Sequence, residues 1–378
     1  MFFRCSSSAC KEPCRQLACS HGRLLHNATT CGCCPVCVRT LGEGEACRNK
    51  EMASIPGGEC GPMLSCVDGS CSKPESRACV RDLLRQERDQ GDFESPYGGP
   101  RPDCDDYGDY RPTRCKKGLT CNCVDKSGQR IFGTAIHSQA SDMHCNCSRL
   151  SAESSWARPE QRLRCTAQGN FEPLQCSDSH CYCLRQDGSL DGRPVPRGAP
   201  LQHLKCYEKG RPLIGECMAE RLRVAALLRK EAEEGGEPPF RRQVPSCDPD
   251  GTYAPRQCAD DRCYCVRSNG QPYDKQRYSV LRGSEAAKNM TCNCLRDQEL
   301  LREAFPAPSM LVADWGSQRC GPDGDYVPMQ CPTSWTCRCV DRDGYQDSPD
   351  VMTWERSRLP CYRPEYDQYY REEIEASI

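Results

Sequence analysis

The sequence predicts a string of small disulfide-rich modules, each with short β-hairpins or strands and one helix per repeated module, in a multi-domain chain. Three observations predict it. Cysteine supplies 36 of 378 residues. Hydrophobic residues make up only 37% and aromatic residues 7%, too little for one core of that size. One cysteine pattern occurs four times, and a fixed cysteine skeleton with variable residues between marks a repeated module. A cysteine count this dense and even belongs in an oxidising compartment, where cross-links replace a large core. Ordering a module of ~65 residues costs roughly 1–2 kcal/mol per residue in backbone entropy. Three bridges at about 2–4 kcal/mol each then decide its stability.

The pattern runs Cys165 to Cys176, then Cys181-Tyr182-Cys183. Its other copies are Cys104 to Cys115 with Cys121-Asn122-Cys123, Cys247 to Cys258 with Cys263-Tyr264-Cys265, and Cys320 to Cys331 with Cys337-Arg338-Cys339. Gly stands four positions after the first Cys of each copy (Gly108, Gly169, Gly251, Gly324). An aromatic, a Pro and a Gln or Arg follow at alternate positions, so they share one face of an extended chain, and the next Cys takes the other face. Pro lacks an N–H, which predicts an edge strand. The two sulfurs of Cys-x-Cys point the same way along a strand and reach separate partners. Asp187-Gly188, Asn269-Gly270, Asp343-Gly344 and Ser127-Gly128 follow as hairpin turns.

These residues resemble the thyroglobulin type-1 repeat, through the Gln-Cys of Gln175, Gln257 and Gln330 and the Cys-x-Cys that follows. Arg114 replaces the Gln once, and Asn122, Tyr182, Tyr264 and Arg338 stand where the family has Trp. The resemblance implies repeats at 79–145, 147–206, 217–292 and 294–361, with bridges in the order first–second, third–fourth and fifth–sixth. In the first repeat these are Cys79–Cys104, Cys115–Cys121 and Cys123–Cys145; in the second, Cys147–Cys165, Cys176–Cys181 and Cys183–Cys206. In the third they are Cys217–Cys247, Cys258–Cys263 and Cys265–Cys292, and in the fourth Cys294–Cys320, Cys331–Cys337 and Cys339–Cys361.

Residues 5–71 hold twelve cysteines in another arrangement, centred on Cys31-Gly-Cys33-Cys34-Pro-Val-Cys37. This is similar to the amino-terminal module of insulin-like growth factor-binding proteins. Cys34-x-x-Cys37 has zinc spacing, but the neighbouring cysteines and the oxidising setting favour disulfides.

Only Asn146 and Asn293 separate the first repeat from the second and the third from the fourth, whereas the connector 207–216 is longer. Two tight pairs, separable at that connector, are expected. Helices are predicted from Cys217 to a stop at Gly235-Gly236 and, shorter, from Cys79 and Cys294. Residues 362–378 form an acidic, Tyr-rich tail, read as solvated, with tyrosine sulfation the alternative.

The net charge of −2 gives no drive toward nucleic acid. No run of apolar residues is long enough for a transmembrane helix. Met1-Phe-Phe-Arg-Cys5 is too short for a signal peptide, so an extracellular, secreted location is expected from the cysteines alone. Asn27-Ala-Thr29 and Asn289-Met-Thr291 are glycosylation sequons. The six His are scattered, no metalloprotease, phosphate-loop or Gly-x-Ser-x-Gly motif occurs, and the modules leave no spare thiol, so no enzyme, cofactor or metal site is expected. The repeat family includes the thyropins, which implies non-covalent inhibition of a papain-like cysteine protease. The candidate contact loops are Ser95-Pro96-Tyr97-Gly98 and Pro238-Pro239-Phe240, because Pro holds its φ and resists cleavage. The alternatives are binding of an insulin-like growth factor or insulin-like peptide, and an extracellular scaffold.

Overall fold

In a computed structural model of the protein, residues 19–26, 35–47, 58–90, 101–116, 119–154, 163–233, 243–305, 318–333 and 335–366 are described. The chain divides into two compact units: residues 1–92, 101–111 and 126–128, and the remainder. In the first unit β1 (Gly22–Leu25) pairs antiparallel with β2 (Val36–Leu41), and β3 (Glu59–Cys60) adds to β2 in parallel. A hairpin of β4 (Ser65–Val67) and β5 (Ser70–Ser72) turns at Asp68-Gly69, both at positive φ. Cys19–Cys37, Cys47–Cys66 and Cys60–Cys71 staple these short strands. The same unit holds α1 (Ala78–Gln90), whose Val80 and Leu83 are buried beside the Cys79–Cys104 bridge. The helix is longer than the sequence suggested because Arg, Gln and Glu, all strong helix formers, carry it past Leu84.

In the second unit each Cys-x-Cys lies on the middle strand of a three-stranded antiparallel sheet. These sheets are β6 (Thr113–Cys115), β7 (Thr120–Val124) and β8 (Arg130–Ile136); β9 (Leu174–Cys176), β10 (His180–Cys183) and β11 (Val195–Pro196); β12 (Arg256–Ala259), β13 (Arg262–Cys265) and β14 (Ser279–Leu281); and β15 (Met329–Gln330), β16 (Thr336–Cys339) and β17 (Val351–Met352). The strand that follows the recurring Pro is an edge strand in all four. Pro112, Pro173, Pro255 and Pro328 each precede it and use only the carbonyl, which accepts from Val124, Leu184, Val266 and Val340. Four further helices are α2 (Asn146–Glu153), α3 (Glu216–Glu233), α4 (Glu285–Asn289) and α5 (Asn293–Ala304). The opening helix of the second repeat, α2, was not apparent from its short polar sequence.

Disulfides replace an apolar core in these modules. The structure joins the first Cys of each repeat to the second, the third to the fourth and the fifth to the sixth. Third–fourth bridges link the outer and middle strands at Cα separations of 3.9–4.0 Å. The Gln before the third cysteine closes the loop behind it. Gln175 accepts from the Arg164 N–H (3.0 Å) and donates to the carbonyls of Arg164 and Glu172. Gln257 and Gln330 repeat the clamp on Ser246 and Arg319. The hairpin glycines Gly128, Gly188, Gly270 and Gly344 sit at φ of +84 to +85°, where a Cβ would stand 2.6–2.9 Å from the ring of the recurring aromatic. Both constraints require glycine there.

Candidate functional site

The tyrosine of the recurring aromatic position reaches back to an acid three residues after the repeat's first cysteine. Tyr110 donates to Asp82 (2.8 Å), Tyr253 to Glu220, and Tyr326 to Asp297 (2.8 Å). In the fourth repeat this contact has become a meeting point with the first. Asp297 is fully buried in α5, and Arg130 of β8 holds it bidentately at 2.9 Å on each oxygen. Lys116 donates to the same carboxylate and to the Tyr326 hydroxyl (3.1 Å). Arg114 lies 3.9 Å above the Tyr345 ring, and Asn122 donates to the Tyr345 hydroxyl at 3.1 Å. Burial alone would raise the Asp297 pKa, but the two cations win and hold it at about 2. Burial pushes the Lys116 ammonium down to about 8, against the pull of Asp297.

Other repeats also touch. Gly169 stands so close to Cys123 that a Cβ would fall 2.5 Å from its sulfur, and Gly324 repeats this on Cys265 at 2.4 Å. Cys145 and Cys292, at φ of 56° and 62°, turn the chain into the next helix across the single-residue linkers. Between the pairs, the Cys165 N–H donates to the Pro249 carbonyl (3.1 Å) and Arg164 to the Leu213 carbonyl (2.6 Å). The expectation of two separable pairs therefore needs correction. The second and third repeats touch beside the connector, and a buried ion cluster joins the first repeat to the fourth.

The proposed loop residues Ser95, Pro96, Tyr97, Gly98, Pro238, Pro239 and Phe240 lie outside the described residues, as do Asn27, Cys31, Cys33 and Cys34. Sequence reasoning missed an exposed aromatic edge on the fourth repeat. Trp335 sits inside the loop closed by Cys331–Cys337, and its carbonyl accepts from the Thr353 N–H at 2.9 Å. That bond extends the β16–β17 pairing by one step, with Thr353 opposite Trp335; Met352 is exposed, and the Trp335 and Trp354 indoles are both 67% exposed. Two large exposed aromatics, one between the cysteines of a bridge and one in the 3-10 turn (Thr353–Arg358) after β17, have the character of a protein-contact site. The signal was present in the sequence as two Trp, one just before the second strand and one just after the third, in one repeat only.

Asn289 is exposed at the end of α4 and donates to Glu285 (3.0 Å), while the Thr291 hydroxyl of its sequon donates to Asp325. Cys115 and Cys121 lie near His137, but their sulfurs are bonded to each other and offer no thiolate to a metal. Every cysteine among the described residues is in a disulfide. No helix among them is long and apolar enough to cross a membrane.

Residues 79–145, 151–200 and 217–281 match the family model of the thyroglobulin type-1 repeat. Residues 3–82 match the model named fungal protease inhibitor. Bovine (Bos taurus) thyroglobulin is 30% identical over 173 residues, covering 44% of this chain and 6% of its own length. Equistatin of Actinia equina is 29% identical over 192 residues, 45% of this chain and 71% of its own. U20-hexatoxin-Hi1a of Hadronyche infensa is 29% identical over 123 residues, 32% of this chain and 73% of its own. The chain thus spans a small fraction of the thyroglobulins it matches. The models it matches are repeat and inhibitor modules, not enzymes.

Proposed function

On the premise that this chain carries thyroglobulin type-1 repeats, we propose that it is a secreted inhibitor of papain-like cysteine proteases that acts without a covalent bond. The observation that carries this is the pair of strongly exposed indoles on the fourth repeat: Trp335 between the bridged Cys331 and Cys337, and Trp354 in the 3-10 turn that follows β17. Loops ordered before binding lose little entropy when they enter a cleft. Bulky indoles fill subsites, and the adjoining disulfide keeps the loop from adapting to the catalytic geometry needed for its own cleavage. Among the described residues every cysteine is bonded, so none of these offers a thiol to the protease.

The match of residues 3–82 to a protease-inhibitor model supports the same reading for the amino-terminal module over the growth-factor alternative. The test is titration of the full chain against papain, several cathepsin-like enzymes and, for comparison, a serine protease. Reversible, stoichiometric inhibition of the cysteine enzymes, abolished when the bridges are reduced, is expected. Absence of inhibition by chain with verified bridges would leave the scaffold role.

A further inference from the structure

The second repeat breaks the internal pattern at three positions together. Where the other repeats place Asp82, Glu220 and Asp297, three residues after their first cysteine, it has Leu150. Where they place Tyr110, Tyr253 and Tyr326, it has Phe171. Seven residues after the fifth cysteine stand Arg130, Pro272 and Gln346 in the others, but Leu190 here, bridged to Leu184. Both partners of the tyrosine–acid hydrogen bond have thus been replaced by apolar groups. Loss of one partner alone would leave the other without its hydrogen bond.

The replacements surround a groove of about 560 Å³ on this repeat. Phe171 forms its floor at 8% exposure, and Leu150 and Leu190 stand on its lips at 43% and 53%. No Asp, Glu, Lys or Arg lines it among the described residues, and the lining residues with polar side-chain groups are Tyr182 and His180. Apolar walls, a volume within the usual few hundred Å³ of ligand pockets and a few convergent polar groups define a small-molecule site. An uncharged lining favours an uncharged ligand, since a bare charge there would lose its hydration without compensation.

We propose that this groove binds a neutral, mainly apolar molecule, aromatic or branched-aliphatic, carrying one hydrogen-bonding group for Tyr182 or His180. The role is independent of protease binding. The probe is N-phenyl-1-naphthylamine, neutral and fluorescent in apolar surroundings, titrated into the full chain. Saturable uptake at one site per chain is expected. Leu150→Asp with Phe171→Tyr, which installs the pair used by the other repeats, should weaken uptake at least tenfold with the fold intact. If that variant misfolds, Leu190→Asp, at a half-exposed lip, should give the same loss. Uptake that never saturates, or that changes less than twofold in both variants, overturns the proposal. So does tighter binding of the anionic anilinonaphthalene sulfonate. Dimerisation abolished by Leu190→Asp, without probe uptake, would assign the groove to a second copy of the chain and equally overturn it.

Discussion

Replacing Asp297 by Asn tests whether the first and fourth repeats are locked together. The substitution keeps the shape and removes the one negative charge shared by Lys116 and Arg130, whose side chains are 4% and 8% exposed. Removing one partner of a buried ion pair costs about 3–5 kcal/mol, because the remaining charge stays buried without compensation. Here two cations remain, but Asn still offers one carbonyl oxygen to Arg130 or Tyr326, which places the cost near 3 kcal/mol. At about 1.4 kcal/mol per factor of ten, the population with this contact open rises roughly 150-fold. Native-state hydrogen exchange at Asn122 and Thr134, or limited proteolysis within 207–215, reads that population. The acceleration should persist in high salt, since buried pairs are weakly screened. Exchange and cleavage within threefold of the parent would refute the clasp and restore the picture of two independent pairs.

Other outcomes follow from the same geometry. Trp335→Ala and Trp354→Ala should each weaken protease inhibition by roughly 2 kcal/mol or more, about 30-fold, with unchanged bridges, as for buried aromatic anchors; inhibition constants decide it. Asp297 is held at about 2, below its unfolded value, so its contribution is present above about pH 4 and is lost only as pH falls from there through 2. Lys116 titrates near 8 when folded, below its unfolded value, so stability should rise as pH increases from 8 toward 10. Melting temperature against pH measures both, and Lys116→Met should abolish the alkaline rise. Chain secreted from eukaryotic cells should carry a glycan on Asn289, attached before Asp325 sequesters the Thr291 hydroxyl. Intact-mass analysis showing Asn289 bare would count against that.

The repeat frame was legible because its determinants are local. Gly188 against Phe171 and Gln175 against Arg164 act across fewer than twenty residues, so spacing alone reports them. The clasp was not legible, because Lys116 and Asp297 are 181 positions apart and either reads as an ordinary surface charge. A trace of it did exist. Arg114 and Asn122, the departures of the first repeat from the resemblance, both end on Tyr345. The exposed edge was missed for the opposite reason: Pro and Gly marked loops as candidates, whereas the display of Trp335 and Trp354 depends on strand register.

Linear arrays of repeats fray from their ends, where a terminal unit has one neighbour and is usually capped by a polar face. Here contacts run from first repeat to second, second to third, third to fourth and, through Asp297, back to the first. Among the described residues each of the four cysteine-framed repeats therefore has two neighbours. Releasing any one of them requires two interfaces to open together, so loosening is cooperative. A protease that cuts one connector therefore leaves the severed pieces joined through the remaining contacts.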